Sequence, residues 1–382
     1  MASITVVVPT YNRAALLVET LRTILAQTTP PDEIIVVDDG STDETASVCA
    51  AQPQPVRYVR QANSGLPAIA RNRGIAEAKG DWIALCDSDD LWHPRKLEVE
   101  LAAVLTTGAQ WAVSGFGLIK PDGERVPIQG LGFDREFPVF KQLHVSPTEH
   151  FSRWLTRTEV AAAAGPVVAF AGDAFGMLFE GNVCLTSSAL IARTLLLRAG
   201  PFDPAFIRAE DTEFFHRLSA YGPLVVVMDS LLDYRVGHPS VMSARDLSPF
   251  MRFTLASLDR NARLRPNMSV AERRAYHRGR ARMRMTLAYE RLSSLDRPGA
   301  RQALYDGWRN RELFSPRAAA LFVASLAPTS ALTTLHSAKR RIVGALRSRD
   351  RGHGPGATVT RVRSVENEHR PKANDPGRGG LG

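Results

Sequence analysis

Two groups of carboxylates, each closing an apolar run, are the residues of this chain best placed to do chemistry. Ile34-Ile35-Val36-Val37 leads into Asp38-Asp39-Gly40-Ser41, and Trp82-Ile83-Ala84-Leu85-Cys86 leads into Asp87-Ser88-Asp89-Asp90. A short apolar run ending in acidic residues reads as a buried parallel strand that carries its charge to the carboxyl edge of a sheet. Ligands of open α/β sheets bind at that edge. Carboxylates gathered there repel one another unless a cation, a ligand or water separates them, so the pattern predicts a metal-assisted site.

Several motifs can be tested against these clusters. A dinucleotide-binding unit needs G-x-G-x-x-G after its first strand, and Pro9-Thr10-Tyr11-Asn12-Arg13 stands there instead. A calcium loop starting at Asp87 would put Trp92 where glycine must turn the chain, which excludes it. A D-x-D-x-T phosphatase nucleophile fails at both clusters. A nucleotide-sugar site fits. Asp39 can accept the imide N–H of a uracil ring, and Asp87, Asp89 and Asp90 offer oxygens to a divalent cation whose shell the diphosphate completes. A lone aspartate at a strand end is usually only a turn or cap residue. Two clusters on neighbouring strands, both followed by helices, make that explanation a poor one.

The elements that must position them alternate. Strands are predicted at residues 4–8, 33–37, 56–60 and 81–86, with Leu17, Leu21, Ile24 and Leu25 recurring at helical spacing, helices at 42–51 and 66–78, and another opening at Pro94. Ser41 or Thr42 is the expected cap of the second helix. This βαβα rhythm implies a parallel sheet with helices on both faces. Residues 116–180, rich in Gly, Pro and aromatics such as Phe133, Phe137, Phe140 and Trp154, read as long loops around short strands. A strand at 183–191, a helix at 211–221 and a strand at 224–228 follow. Helices alone occupy 271–295, 300–313 and 330–347, and residues 350–382 have the composition of a disordered tail.

At 382 residues and 44% apolar, the chain can bury a full core. Its charge is uneven: residues 1–250 carry 21 Lys/Arg against 29 Asp/Glu, whereas residues 251–382 carry 27 against 10. That points to an anionic partner for the last third, membrane lipid or nucleic acid, or simply to a solvated basic helical surface. Residues 318–338 hold no charged side chain, but six Ser/Thr, Pro328 and His336 make them a poor bilayer span. A helix lying on a membrane surface, or packed on the body of the protein, fits better. Three cysteines without metal-type spacing and no leader-like N-terminus suggest a cytoplasmic protein with reduced thiols.

The motifs together resemble the family 2 glycosyltransferases of the GT-A fold. The matching stretches are Val6-Val7-Val8-Pro9-Thr10-Tyr11-Asn12, Val37-Asp38-Asp39-Gly40-Ser41-Thr42-Asp43, Asn63-Ser64-Gly65 leading to Ala70-Arg71-Asn72-Arg73-Gly74-Ile75, and Asp87-Ser88-Asp89-Asp90-Leu91-Trp92. The resemblance covers residues 1–115 and, less tightly, 182–240. It implies a GT-A domain over 1–245, split into a nucleotide-binding half (1–115) and an acceptor half (116–245). A basic helical extension (246–348) and a disordered tail (349–382) would follow.

By that resemblance, Pro9, Thr10, Tyr11, Asn12 and Asp39 hold the base, and Arg71 lies near the ribose or diphosphate. Asp87, Ser88 and Asp89 form the D-x-D element. Asp90 leaves open which carboxylate ligates Mg²⁺ or Mn²⁺, with Asp89 favoured. His238, in Tyr234-Arg235-Val236-Gly237-His238, resembles a late segment that reaches back to the diphosphate or metal. Ala209-Glu210-Asp211-Thr212-Glu213 looks like the acceptor-side element that supplies the base. Phe214, Phe215 and Leu218 follow Asp211 at i+3, i+4 and i+7, so Asp211 sits at the N-terminal end of the buried stripe. Burial there raises a carboxyl pKa and improves a base, while the helix N-terminus opposes the shift. Glu210 is the alternate base.

The implied activity is inverting, metal-dependent transfer from a UDP-sugar to a glycan or lipid-linked acceptor, peripherally at the inner face of the cell membrane, with no nucleic acid partner. The alternatives are a nucleotidyltransferase, which would normally carry a Gly-rich phosphate loop near the first strand, and a non-catalytic nucleotide-binding protein that works through its basic C-terminal region.

Overall fold

The computed structural model describes residues 2–126, 145–237, 247–313 and 315–327. Strands β1 (Ile4–Thr10), β2 (Glu33–Asp38), β3 (Val56–Arg60) and β4 (Trp82–Leu85) alternate with helices α1 (Ala14–Leu25), α2 (Thr45–Ala50) and α3 (Pro67–Glu77). Then come β5 (Leu91–Trp92), α4 (Lys96–Thr107), β6 (Trp111–Ile119), β7 (Arg125–Val126), α5 (Pro147–Ser152), β8 (Thr156–Val160), β9 (Val167–Gly172) and α6 (Phe175–Glu180). A 3₁₀ turn (Thr186–Ser188) leads into β10 (Leu190–Ala192), α7 (Arg193–Ala199), α8 (Glu210–Tyr221) and β11 (Leu224–Arg235). Four helices follow: α9 (Ser248–Ala262), α10 (Val270–Ser293), α11 (Arg297–Arg309) and α12 (Pro316–Leu326).

One sheet runs β3-β2-β1-β4-β10-β6-β11-β9-β8, with β5 on β11 and β7 on β6. The first four strands are parallel, as the alternation predicts. Beyond them the sheet is mixed. β10 is antiparallel to both β4 and β6, so β6, and β11 parallel to it, point the same way as β4. The β1 and β2 valines and isoleucines are fully buried, which explains why these strands read as continuous apolar runs. Gly74 on α3 lets the helix lie against β1, because a Cβ there would collide with Val7.

Four elements differ from the sequence expectation. Helix α2 begins at Thr45, not residue 42: Ser41 and Thr42 are engaged by Asn12, and the N-cap is Glu44, whose side chain makes no capping bond. Asp43 accepts the N–H of Thr45 at 3.1 Å and, across to α1, that of Ala14 at 2.9 Å. Of the predicted strand 183–191, residues 186–188 form the 3₁₀ turn and only Leu190 and Ile191 belong to β10. The strand predicted at 224–228 continues to Arg235 across irregularities between Val227 and Leu232. The stretch 116–180 holds the end of β6, the antiparallel β8–β9 pair and two short helices; Phe133, Phe137 and Phe140 lie outside the described residues.

The C-terminal helices do not stand apart. Met251, Leu287, Ala288, Ala303 and Leu304 form a core of their own, while Leu258 and Ala275 pack with Phe175 and Phe179 of α6. Residues up to Ala327 make one compact unit. Among the described residues no helix is long and apolar enough to cross a membrane. The helix expected at 330–347 and the expected tail lie outside the described residues, as does everything beyond Ala327 in the uncharged segment 318–338. Cys49, Cys86 and Cys184 are buried and free.

Candidate active site

Because β1 has parallel β2 on one side and parallel β4 on the other, the acidic ends of both neighbours emerge at one sheet edge, flanking the turn that follows β1. Thr10 pairs in register with Asp38. Pro9 and Thr10 are buried, and the Thr10 Oγ1 has no hydrogen-bond partner. Tyr11 is exposed. Asn12 adopts φ +50°, a left-handed conformation that asparagine tolerates better than most residues. It donates its N–H to Ser41 Oγ at 2.9 Å and accepts the Thr42 N–H at 2.8 Å. Arg13 then turns to the other cluster and donates to Asp89. The turn straps the two clusters together.

The β2 cluster is held mostly by neutral donors, with the Arg60 guanidinium 4.0 Å from Asp38. Asp38 is fully buried and accepts from the Ser41 N–H at 2.8 Å and the Tyr58 hydroxyl at 2.6 Å. Burial and that bond push the Tyr58 phenol up to about 12. Gly40 takes φ +81°, and a Cβ there would stand 2.8 Å from the Asn63 nitrogen, so the turn demands glycine. Asp39 accepts from the Ser64 N–H and hydroxyl, the Gly65 N–H at 3.2 Å and Gln61 Nε2 at 2.6 Å.

In the β4 cluster Asp87 and Asp89 are held by cations. Arg71, buried on α3, donates to Asp87 at 2.8 Å and to Glu210 at 3.1 Å. Burial alone would lower its pKa, but the two carboxylates outweigh that and hold it above the usual arginine range. Its guanidinium lies over the Phe202 ring, and the adjacent Asn72 exchanges two hydrogen bonds with the Phe202 backbone, at 2.7 and 2.8 Å. Ser88 is buried. Asp90, 1% exposed, is turned inward: Ser187 donates its hydroxyl and Arg235 its N–H at 3.4 Å. Burial, then the charge of Asp87, pushes Asp90 up to about 7.

Helix α8 enters from the other half of the sheet. Ala209, its N-cap, has φ +56°, which costs an alanine about 1–2 kcal/mol. That conformation delivers Glu210 to Arg71. Asp211, half-buried beside it, accepts the Thr212 N–H at 2.7 Å and hydroxyl at 3.3 Å on the same oxygen, Oδ1. Burial, followed by the neighbouring charge of Glu210, pushes Asp211 up to about 7. That outweighs the helix N-terminus, which favours the anion.

Among the described residues no three His, Cys, Asp or Glu side chains form a ready cage for an ion. Asp87 and Asp89 are hard oxygen donors at one edge, which suits a Mg²⁺ or Mn²⁺ site of one or two carboxylates completed by phosphates. Asp90 fits this role less well because its oxygens face Ser187 and β11. His238 lies outside the described residues. The structure thus gathers Pro9, Thr10, Tyr11, Asn12, Asp39, Arg71, Asp87, Ser88, Asp89, Glu210 and Asp211 around one edge. It adds Arg13, Gln61 and Ser187, which the sequence reading did not single out. Arg13 stands one residue beyond the first motif, and Ser187 sits in an unremarkable Thr-Ser-Ser run.

The family model described as glycosyl transferase family 2 matches residues 5–164. The succinoglycan biosynthesis protein ExoO of Rhizobium meliloti is 40% identical over 121 residues, 31% of this chain and 35% of that protein. The first four curated relatives are matched over only 16–35% of their own lengths. Among solved structures, the mannosyltransferase PcManGT of Pyrobaculum calidifontis, in complex with GDP-Man and Mn²⁺, superposes with a TM-score of 0.53 at 19% identity, covering 90% of this chain and 86% of that one. S. aureus TarS 1–349 in complex with UDP-GlcNAc gives 0.51 at 17% identity, covering 89% and 92%. At such identities these two likenesses speak for the GT-A fold.

Proposed function

We propose that this chain, which matches the family 2 glycosyltransferase model over residues 5–164, is an inverting, metal-dependent enzyme. It moves a sugar from a UDP-sugar or related nucleotide-sugar to a hydroxyl of a lipid-linked or cell-surface glycan. The observation that carries this reading is the Arg71 bridge. One buried guanidinium holds Asp87 of the donor-side cluster and Glu210, the residue next to Asp211.

In this reading the base lies against the turn after β1, with Asp39 accepting its imide N–H, and the diphosphate lies toward Asp87, Asp89 and Arg71. Asp87 and Asp89 would hold a divalent cation, which when bound offsets the negative charge gathering on the departing diphosphate. Asp211 Oδ1 is occupied by Thr212, so Oδ2 takes the acceptor proton. As that proton leaves, the acceptor oxygen bonds to the anomeric carbon from the face opposite the diphosphate. The C–O bond to phosphate breaks with its electron pair, through an oxocarbenium-like state, and the anomeric centre inverts. A base pushed up to about 7 is matched to neutral pH.

The family match, the role of ExoO in succinoglycan biosynthesis and the nucleotide-sugars held by the two superposed structures support a sugar nucleotide and a polysaccharide product. The excess of basic residues after 250, with Phe322, Val323 and Leu326 exposed on α12, supports a peripheral position on an anionic membrane at its cytoplasmic face. Screening nucleotide-sugars for thermal stabilisation, then assaying turnover with Mn²⁺, Mg²⁺ or EDTA, tests the reading. It expects stabilisation by a UDP- or GDP-sugar and turnover that EDTA abolishes. Absence of binding and turnover across the panel overturns it.

A further inference from the structure

We infer that Ser187, in the 3₁₀ turn before β10, is a positioning residue that sets the D-x-D loop, and that Asp90 is its anchor partner rather than a metal ligand. The inference rests on the glycosyltransferase reading for its consequence, but its geometry stands on its own.

Three atoms of the loop converge on this serine. The Asp87 N–H donates to Ser187 Oγ at 2.9 Å, and the same hydroxyl donates to Asp90. The Trp92 indole N–H donates to the Ser187 carbonyl at 3.0 Å. Ser187 is 1% exposed, so each of these bonds is made where water does not compete. Two residues on, Leu85 of β4 donates its N–H to the Ala189 carbonyl at 3.0 Å, tying the strand to the end of the same turn. The other end of Asp90 is fixed as well: its carbonyl accepts the Thr20 hydroxyl at 2.9 Å, and its Oδ1 faces the Arg235 N–H at the end of β11. Asp90 therefore spends its carboxylate on the scaffold. Asp87 and Asp89 are left on the side where Arg71 and Arg13 meet them. A serine far away in sequence thus determines where the two outward carboxylates stand, as expected of a support beneath a binding constellation.

The test uses the full chain, with UDP as probe. Ser187→Ala is expected to weaken UDP about tenfold in calorimetry, with EDTA and with Mn²⁺ alike, the scale of one lost hydrogen bond to a charged network. It is also expected to speed amide exchange at residues 86–92, while exchange in α1 and α3 stays as in the wild type. Asp90→Asn, which keeps an acceptor for Ser187, is expected to retain the gain in UDP affinity that Mn²⁺ confers, and Asp89→Asn to lose it. Wild-type UDP affinity and exchange in Ser187→Ala would overturn the inference. So would loss of the Mn²⁺ gain in Asp90→Asn, which also decides the matter should Ser187→Ala fail to fold. Wild-type protein that binds neither UDP nor any nucleotide-sugar defeats the function proposed above, whereas failure of the variants alone defeats only this inference.

Discussion

Two sets of carboxylates line one sheet edge and are wired in opposite ways. On the nucleotide side every outward aspartate is compensated: Asp39 by the donors of Gln61, Ser64 and Gly65, Asp87 by Arg71, and Asp89 by Arg13. On the proposed acceptor side Asp211 has, among the described residues, Thr212 as its one hydrogen-bond partner, lies beside another carboxylate, and is pushed up to about 7 although the Arg71 charge pulls it down. The contrast separates two tasks. A carboxylate that binds a base or holds a cation must stay charged in a fixed place, and donors do that. A carboxylate that accepts a proton needs affinity for it, and burial without a cation of its own supplies that.

Removing the acceptor-side group should have the largest effect. Asp211→Asn is expected to lower turnover by about 10²–10⁴-fold, the usual contribution of a general base, with UDP affinity unchanged. Calorimetry that shows lost UDP affinity would erase the contrast. On the nucleotide side, Asp89→Ala should instead weaken UDP in the presence of Mn²⁺ by about 10–100-fold, the range for a lost contact to a charge. A variant that binds normally but turns over slowly would move Asp89 into the acceptor set.

The pH dependence sharpens the contrast further. With Asp211 near 7, the basic form is lost as pH falls, so turnover should drop about tenfold per unit below pH 7 in a stopped assay. Stability runs the other way. A carboxyl whose folded pKa is raised favours the folded state fully below its unfolded value near ~4, and that contribution is lost as pH rises through about 7. Asp211→Asn should therefore melt above the wild type at pH 8 and by a smaller margin at pH 5. Asp39→Asn should melt lower at both, by about 1–3 kcal/mol, because an amide turns donors toward the donors of Ser64 and Gln61. Equal melting shifts in the two variants would abolish the distinction. The smallest effect concerns α12, where Phe322→Ser with Leu326→Ser is expected to halve sedimentation with anionic liposomes; unchanged partitioning would remove the membrane arm of the proposal.

The nucleotide half was legible because its strands are buried on both faces and close on charge, so Ile34-Ile35-Val36-Val37 and Trp82-Ile83-Ala84-Leu85 carry strand and edge in one signal. The acceptor half was not. β6 is completely buried, but Ser114, Gly115 and Gly117 interrupt its apolar run. β10 has three residues, too few for any period, yet it is the antiparallel strand that joins the two halves. β11 continues past Asp229 and Ser230 only because irregular pairing absorbs them. In the site, the aspartates were visible as clusters. Arg13 and Ser187 were not, since their meaning lies in partners 76 and 97–100 positions away. The left-handed Ala209 has no sequence signature.

The claim at the centre of this account is that the carboxylates after β2 and β4 and the start of α8 share one ligand. A crystal structure of the protein soaked with UDP and Mn²⁺ tests it most directly. The account predicts the uracil beside Asp39, the diphosphate and ion between Asp87, Asp89 and Arg71, and Asp211 facing the open end of the diphosphate. UDP bound away from this edge, or bound here with Asp211 turned from the diphosphate, would contradict it.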